Sequence, residues 1–436
     1  MKVGYKIHNI VNKIYYIEGS KLPAIVMERF TGLIGVALIL MIAFLFSNNR
    51  KRINVRLVVS GLGLQLLIAV LVLKVSAVNH FFQYLGRGML RLESFAKEGA
   101  SFVYGGIGVF DTTGQVVNYR AAPVFVFAFN ITATIILVCV LAAILYHLRV
   151  MQFVVSVVAR AMHFIMRVSG AEALSNVASA FVGQVEAQVM IRGYLPTMTK
   201  SELLASMSGS LACISGAILI VYANMGARPE YLITASLMAA PGALVISKIV
   251  FPETEESPTM GKVKMDVKSS YTNLIDAITH GAADGFKISM NVIAMLIGFI
   301  ALIAMVNWML AHAYHGLSLD SIFSKLFYPF AWAMGVPSQD INNAASLLGQ
   351  KLTINEFVAF KSLTTNTVPI VTPKGLIIIT IAICGFANFS SVGMQIGGIG
   401  ALVPERRADL AKLGLRALLC GTLASYLSAT IAGMLM

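Results

Sequence analysis

Charge is what this sequence has least of. Only 12% of its 436 residues are Asp, Glu, Lys or Arg, about half the ~25% usual in a soluble domain. With 57% hydrophobic residues and a mean hydropathy of +0.79, water could not solvate such a monomer, so a soluble globular enzyme is excluded. Acids are the scarcer sign, 20 against 33 Lys and Arg, for a net charge of +13. An excess of that size can mark a nucleic-acid binder. Here the basic residues sit in short clusters between apolar runs, where the positive-inside rule expects them. Cysteine is scarce too. Cys139, Cys213, Cys384 and Cys420 lie in apolar surroundings with no CxxC pair, and read as small buried hydrophobes. No HExxH, P-loop or nucleophile elbow occurs, so no constellation for enzymatic chemistry is present. The chain reads as a polytopic integral membrane protein.

What the sequence does have is long apolar runs. Eight lack Asp, Glu, Lys and Arg, at about 30–46, 57–73, 121–148, 203–227, 231–247, 290–311, 375–404 and 417–436. Each approaches the ~20 residues that a helix needs to cross a bilayer core. They are continuous rather than alternating, which excludes barrel strands and predicts an all-α fold. The first run starts near Phe30, is too long for a signal-peptide core and ends in SNNRKR, so it is expected to stay as the first span. The acid-free loop 47–56, with Arg50, Lys51, Arg52 and Arg56, is expected to be cytoplasmic and the N-terminus outside. Segments 78–104 and 150–169 mix apolar residues with basic ones at helical spacing, as amphipathic braces do. The stretch 251–272 combines Pro, Glu and Lys and reads as the one solvated linker.

Two segments are neither ordinary spans nor ordinary loops. ALSNVASAFVGQVEAQVMI at 173–191 and INNAASLLGQKLTINEFVAF at 341–360 each carry a polar midpoint, Gly-Gln or Asn-Glu. Each precedes a long run interrupted by Ser, Gly or Asn, SMSGSLACISGA and CGFANFSSVGMQIGGIG. Polar, glycine-bearing midpoints suggest re-entrant hairpins, since irregular backbone at membrane depth survives only when buried in protein or lining a wet cavity. The order hairpin, broken span, span appears at about 173–250 and again at about 341–436. Such pairs point to the central binding site of a transporter built from an inverted repeat.

Within these segments Glu186 and Glu356 carry the sharpest signal. A carboxylate near the centre of an apolar helix costs ~2.5 kcal/mol or more, so each must gain a partner, a proton, a cation or a substrate hydroxyl. The bland alternative is a local cap, or for Glu356 a salt bridge to Lys351. The Gln184 amide offers a donor and an acceptor to a heterocycle edge. Asn388 and Ser391 share a helix face if that stretch is helical; otherwise freed backbone joins them, and the bland reading of both is interhelical glue. His312 and His315 close a span and read as an interfacial pair rather than a metal site.

The motifs GQVEA at 183–187, NEFVAF at 355–360, CGFANFSSVGMQIGG at 384–398 and SLMAAPGALVISKIVFPETE at 236–255 together resemble the concentrative nucleoside transporters, over roughly residues 90–436. The resemblance implies about eight spans plus two hairpins in an inverted repeat, working as an elevator, with no enzymatic activity and no cofactor beyond a coupling ion. It implies a homotrimer in the lipid bilayer of a plasma membrane (a bacterial inner membrane), taking up nucleosides such as uridine by cation symport. An N-terminal segment 1–29 is followed by scaffold spans and braces over 30–169. Repeat one of the transport domain then covers 170–250, a linker and scaffold span six 251–335, and repeat two 336–436. By the same resemblance Gln184, Val185, Glu186, Ile218 and Phe386 surround the nucleobase, while Glu356, Asn388 and Ser391 hold the ribose. Val185 stands where the family usually has Ser or Thr, which leaves purine-versus-pyrimidine preference open.

The coupling ion is read from a second departure. Sodium-coupled members use an Asn where this chain has Ser179, and a hydroxyl where it has Cys213. With the carbonyls of Val182 and Ile214 these form only a partial site for a hard cation. A proton needs no such cage, only a buried carboxylate, so H⁺ is favoured over Na⁺. A passive nucleoside channel is the alternative; no ring-forming filter segment supports it.

Overall fold

The protein, described here from a computed structural model, is all-helical over residues 24–104, 127–260, 271–314 and 316–436, with no strand among these described residues. The helices are α1 (Ala24–Leu45), α2 (Val55–Lys74), α3 (Ser76–Tyr104), α4 (Phe127–His147), α5 (Val150–Met166), α6 (Gly170–Phe181), α7 (Glu186–Met190), α8 (Lys200–Ala212), α9 (Gly216–Asn224), α10 (Pro229–Val250), α11 (Leu274–Ala313), α12 (Leu319–Ala333), α13 (Ile341–Thr353), α14 (Glu356–Thr364), α15 (Pro373–Ile383), α16 (Phe389–Leu402) and α17 (Arg407–Met434).

Both expected amphipathic braces are helices, α3 and α5. The run at 203–227 divides into α8 and α9, and that at 375–404 into α15 and α16, so the two interrupted spans are broken where their polar residues fall. Both hairpins turn at their polar midpoints, α6–α7 at Val182–Val185 and α13–α14 at Ile354–Asn355. Three elements differ from expectation. Helix α11 begins at Leu274 rather than near 290, α17 begins at Arg407 rather than near 417, and α12 was not foreseen at all. Polar residues hid the first two: His280, Asp284 and Lys287 dilute α11, and Arg407, Asp409, Lys412 and Arg416 dilute α17. Residues 121–126 of the third apolar run, and His315, lie outside the described residues.

By length and composition three described helices can each cross a membrane unaided: α2, α10 and the one ending at Met434. They differ in what surrounds them. The apolar windows of α10 and α17 are 94% and 89% buried, whereas that of α2 is 28% buried. So α10 and α17 form the protein's own interior, packed on each other and on α8 and α15. Helices α2, α3, α5 and α11 turn outward, with Leu67, Phe102, Phe153 and Trp308 all exposed. Water would make that surface unstable; hydrocarbon suits it.

Local chemistry fixes where helices start and stop. Ser169 and Thr199 each close a capping box, with Glu172 and Glu202 at the third helical position, which satisfies otherwise orphaned N–H groups. At the far end of α1, Arg50 donates to the carbonyls of Phe44 and Leu45, at 3.3 and 3.1 Å. One of the basic residues of loop 47–56 thus caps a helix.

Repeat one is tied at its base by a buried ionic network. The Lys248 ammonium, at the end of α10, pairs with Glu172 of α6 and with Glu253 at 3.3 Å, and donates to Ser201 of α8 at 2.8 Å. Glu202 accepts from the Thr199 amide and the Thr259 hydroxyl, each at 2.8 Å, and from Ser257. The expected solvated linker therefore starts otherwise. Glu253, Ser257 and Thr259 fold back to supply hydroxyls and a carboxylate, while Glu255 and Glu256 stay exposed; residues 261–270 lie outside the described set.

Removing one partner of a buried charged network leaves the rest uncompensated. Lys248→Met should cost about 3–5 kcal/mol of stability, seen as a lower unfolding temperature in detergent. The double variant Lys248→Met/Glu172→Leu should recover part of the loss. A single variant as stable as the wild type would show that the network contributes nothing.

Candidate functional site

The site is assembled from the interruptions. Hairpin one leaves α6 at Phe181 and turns through Gly183, whose φ of +130° suits glycine and few other residues. A methyl group added there would lie 2.5 Å from Glu186 Oε2 and 3.3 Å from the Ser215 Cβ. The tip therefore sits on the break of the first broken span, where the Ser215 hydroxyl caps α9 by accepting the Ile218 N–H at 3.3 Å.

The second broken span stops at Ile383 and restarts at Phe389. Asn388 caps the new helix: its Oδ1 accepts the Ser391 N–H and the Ser390 hydroxyl, both at 2.8 Å. The two breaks touch. The Phe386 N–H donates to the Cys213 carbonyl at 3.3 Å, so each interrupted backbone supplies a group that the other lacks. The approach is close enough to require glycine at 385. A methyl group there would lie 2.5 Å from the Ala212 carbonyl oxygen and 2.8 Å from Ser425 Oγ.

Hairpin two brings Glu356 to the first position of α14, behind the Asn355 cap that accepts the Val358 N–H at 2.9 Å. The carboxylate is buried and stands at the positive end of the helix dipole. Tyr222 of α9 donates its hydroxyl to Oε1 at 3.1 Å, and the Asn388 amide donates to Oε2 at 2.7 Å. Tyr222 is itself held by stacking on Phe360, with centroids 4.2 Å apart, and by an edge contact with Phe357 at 5.6 Å. Lys351 makes no ion pair with Glu356. Its ammonium lies over the Tyr426 ring, 5.9 Å from the centroid, and has no hydrogen-bond partner among the described residues.

Gln184 and Val185 meet α16 rather than hairpin two. The Gln184 amide nitrogen is 3.9 Å from Met394 Sδ, and its oxygen has no hydrogen-bond partner among the described residues. Val185 packs where a Gly398 side chain would be, 2.9 Å from a methyl added there. Met394 lies three residues after Ser391, one turn along the same helix, so α16 links the hairpin-one tip to the Asn388–Glu356 cluster. Glu186 is exposed at the tip, within electrostatic reach of Asp284 on α11. Ile218 and Ser391 are buried, and Phe386 is half-buried.

The expected cation ligands are placed differently. The Ser179 hydroxyl donates to the Ser175 carbonyl at 2.8 Å and is bonded to Ser210 Oγ at 2.9 Å. The Cys213 carbonyl is the acceptor for Phe386, Val182 caps α6 and Ile214 is buried in the first break. All four cysteines are free, and no cluster of three or more metal-ligating side chains occurs among the described residues. The exposed His312 bonds the Trp308 carbonyl one turn earlier in α11, at 2.9 Å. Sequence reasoning missed Tyr222, because one aromatic inside an apolar run carries no signal of its own.

Gly385→Ala should disrupt the crossing and cost about 1–3 kcal/mol, read as a lower unfolding temperature and faster hydrogen exchange at the Phe386 amide. Gly397→Ala, at an exposed position of α16 where a methyl meets nothing within 4 Å, should be neutral or stabilise by up to ~1 kcal/mol. Equal tolerance at both positions would remove the close approach as a requirement.

Known proteins resemble this chain over most of its length. Three family descriptions match consecutive parts of the chain: the Na⁺ dependent nucleoside transporter N-terminus over residues 34–107, nucleoside recognition (Gate) over 128–229, and the Na⁺ dependent nucleoside transporter C-terminus over 231–433. Over 94% of its length the chain is 40% identical to the transporter YutK of Bacillus subtilis, matched over 100% of that protein. It is 35% identical to the nucleoside permease NupC of Helicobacter pylori, matched over 98%. It is also 36% identical to sodium/nucleoside cotransporter 1 of Rattus norvegicus, of which 64% is covered. Among solved structures, CNTnw in an inward-facing substrate-bound state superposes with a TM-score of 0.86 at 36% identity, covering 94% of this chain and 98% of that one. With two hairpins and two broken spans in an inverted repeat, the chain belongs to the concentrative nucleoside transporter family, elevator-type membrane proteins that carry out nucleoside symport.

Proposed function

We propose that the nucleoside binds between the hairpin tips and the two helix breaks, with the ribose on Glu356, Asn388 and Ser391. The observation that carries this is how Glu356 is held. Each of its oxygens already accepts one hydrogen bond, from Tyr222 or from Asn388, and a carboxylate oxygen has two lone-pair sites. The Glu356 backbone N–H adds a third bond to the carboxylate, and the acceptor capacity that remains is available to a sugar hydroxyl. Ionised acceptors make the stronger hydrogen bonds, so the ribose is the natural anchor. The nucleobase then extends toward Gln184, Val185 and Glu186, with Ile218 and Phe386 as its apolar walls. Gln184 supports this assignment, because its amide oxygen is free to accept from a base edge.

The moving unit comprises residues 170–250 and 336–436, and the scaffold residues 30–169 together with the helices of 251–335. Oligomerisation as a homotrimer through outward apolar faces of the scaffold, in a plasma membrane, completes the reading. The coupling ion is H⁺ rather than Na⁺. Ser179 supports this, since its hydroxyl is already committed to Ser175 and Ser210, and a neutral Cys213 thiol is a poor ligand for a hard cation.

Glu356→Gln should weaken nucleoside binding by about 1.5–3 kcal/mol, the range for hydrogen bonds to charged groups. Wild-type protein should bind 2′,3′-dideoxynucleosides poorly, and the variant should lose little further affinity for them. Equal wild-type binding of ribo- and dideoxynucleosides would refute the ribose assignment.

Coupling is read in proteoliposomes with labelled uridine and adenosine. Uptake should rise as external pH falls, exceed equilibrium under an imposed proton gradient and persist when choline replaces sodium. Collapse without Na⁺ at every pH would exclude the proton, and gradient-independent equilibration would indicate a passive pore.

A further inference from the structure

Between hairpin one and α8 lies a buried polar cluster. Ser175 and Ser179 are one turn apart on α6, and Ser206 and Ser210 one turn apart on α8, so two short ladders of hydroxyls face each other. Gln188 of α7 enters between them. All five side chains are 0–1% exposed, so every donor and acceptor must find its partner inside the cluster.

The hydrogen positions follow from counting. Ser206 donates to Gln188 Oε1 at 2.8 Å, because an amide oxygen only accepts. Its single hydrogen is then used, so in the 2.6 Å contact between Ser175 and Ser206 Ser175 is the donor. Ser179 gives its hydrogen to the Ser175 carbonyl, so Ser210 donates in their 2.9 Å contact. The remaining lone pairs of Ser175 and Ser210 converge on Gln188 Nε2, at 3.1 and 2.9 Å. Every hydroxyl hydrogen in the cluster is assigned once, and none is left over.

Two hydroxyl oxygens converging on one point, with a third oxygen from Ser179 behind them, are the start of a monovalent cation site. Here the point is taken by the partial positive charge of an amide N–H₂. We propose that Gln188 is an internal substitute for a coupling cation: it locks hairpin one onto α8 with a neutral side chain and closes this niche to Na⁺. The lock makes Gln188 a determinant of ion selectivity. It deepens the proton-coupling reading and rests on that reading for its consequence in transport. The niche itself can be tested without transport.

Detergent-solubilised full-length protein is unfolded thermally in NaCl and in choline chloride of equal ionic strength at pH 8.5, without any gradient. The wild type should unfold at the same temperature in both. Gln188→Glu puts an anionic oxygen where the amide donor was, and should gain a rise of several degrees specific to Na⁺. Gln188→Ala keeps the hydroxyls but removes the amide, and should gain a smaller one; it serves alone if the Glu variant is not monodisperse. A Na⁺-specific rise in the wild type overturns the proposal, as does the absence of any rise in folded variants. Proton-driven uptake by the wild type in choline is measured separately. If that fails while the thermal shifts appear as stated, the coupling reading is wrong and the lock stands.

Discussion

A helix interrupted inside a membrane exposes backbone groups that no lipid can satisfy, and each costs several kcal/mol if left alone. This fold depends on letting two such interruptions answer each other. The Phe386 N–H reaches the Cys213 carbonyl across the crossing of the two broken spans. Ser215 and Asn388 then cap the helices that restart on either side. Once the breaks are fixed to one another, the positions of Tyr222, Ser391 and Met394 are set, because each lies within two turns of a restart.

The two repeats are therefore exchanged rather than merely adjacent. Helix α9 belongs to repeat one, yet its Tyr222 stacks on hairpin two and holds Glu356. Helix α16 belongs to repeat two, yet it receives Gln184 and Val185 from hairpin one. A body held by such cross-contacts can move as a unit without opening its own interior. Helices α2, α3, α5 and α11 present an exposed apolar surface, which suits lipid.

Much of this was legible in the sequence, and the reasons are local. Apolar length gave most of the spans, polar midpoints gave both hairpins, and Ser, Gly and Asn inside long runs gave both breaks. Charge is so rare in the membrane segments that Glu186 and Glu356 stood out. The misses share a different cause. Helix α12 carries Lys325 and Pro329, and α11 and α17 begin in polar turns, so a rule based on uncharged runs cannot see them. Tyr222 and Gln188 act through residues 134 and up to 22 positions away, and a single chain carries no signal for such pairings. The linker misled in the opposite way, since Glu253 and Thr259 look solvated until the partners supplied by α8 and α10 are known.

Buried charge is treated in two ways in this protein, and the contrast separates stability from function. At the base of repeat one, Lys248 has two carboxylates and a hydroxyl, and Glu202 accepts from an amide and two hydroxyls. A fully satisfied network rigidifies what it joins. At the centre, the Glu356 carboxylate keeps acceptor capacity beyond its bonds to Tyr222 and Asn388, and Lys351 rests over an aromatic ring with no hydrogen-bond acceptor among the described residues. Groups left short of partners at such cost are expected where a substrate or an ion must complete the set. The fold places its saturated ion pairs at the ends of helices and its unpaired charges where the hairpins and breaks converge. That division leaves the hairpin–break junction able to take new partners, while the network at the base of the repeat already has its own.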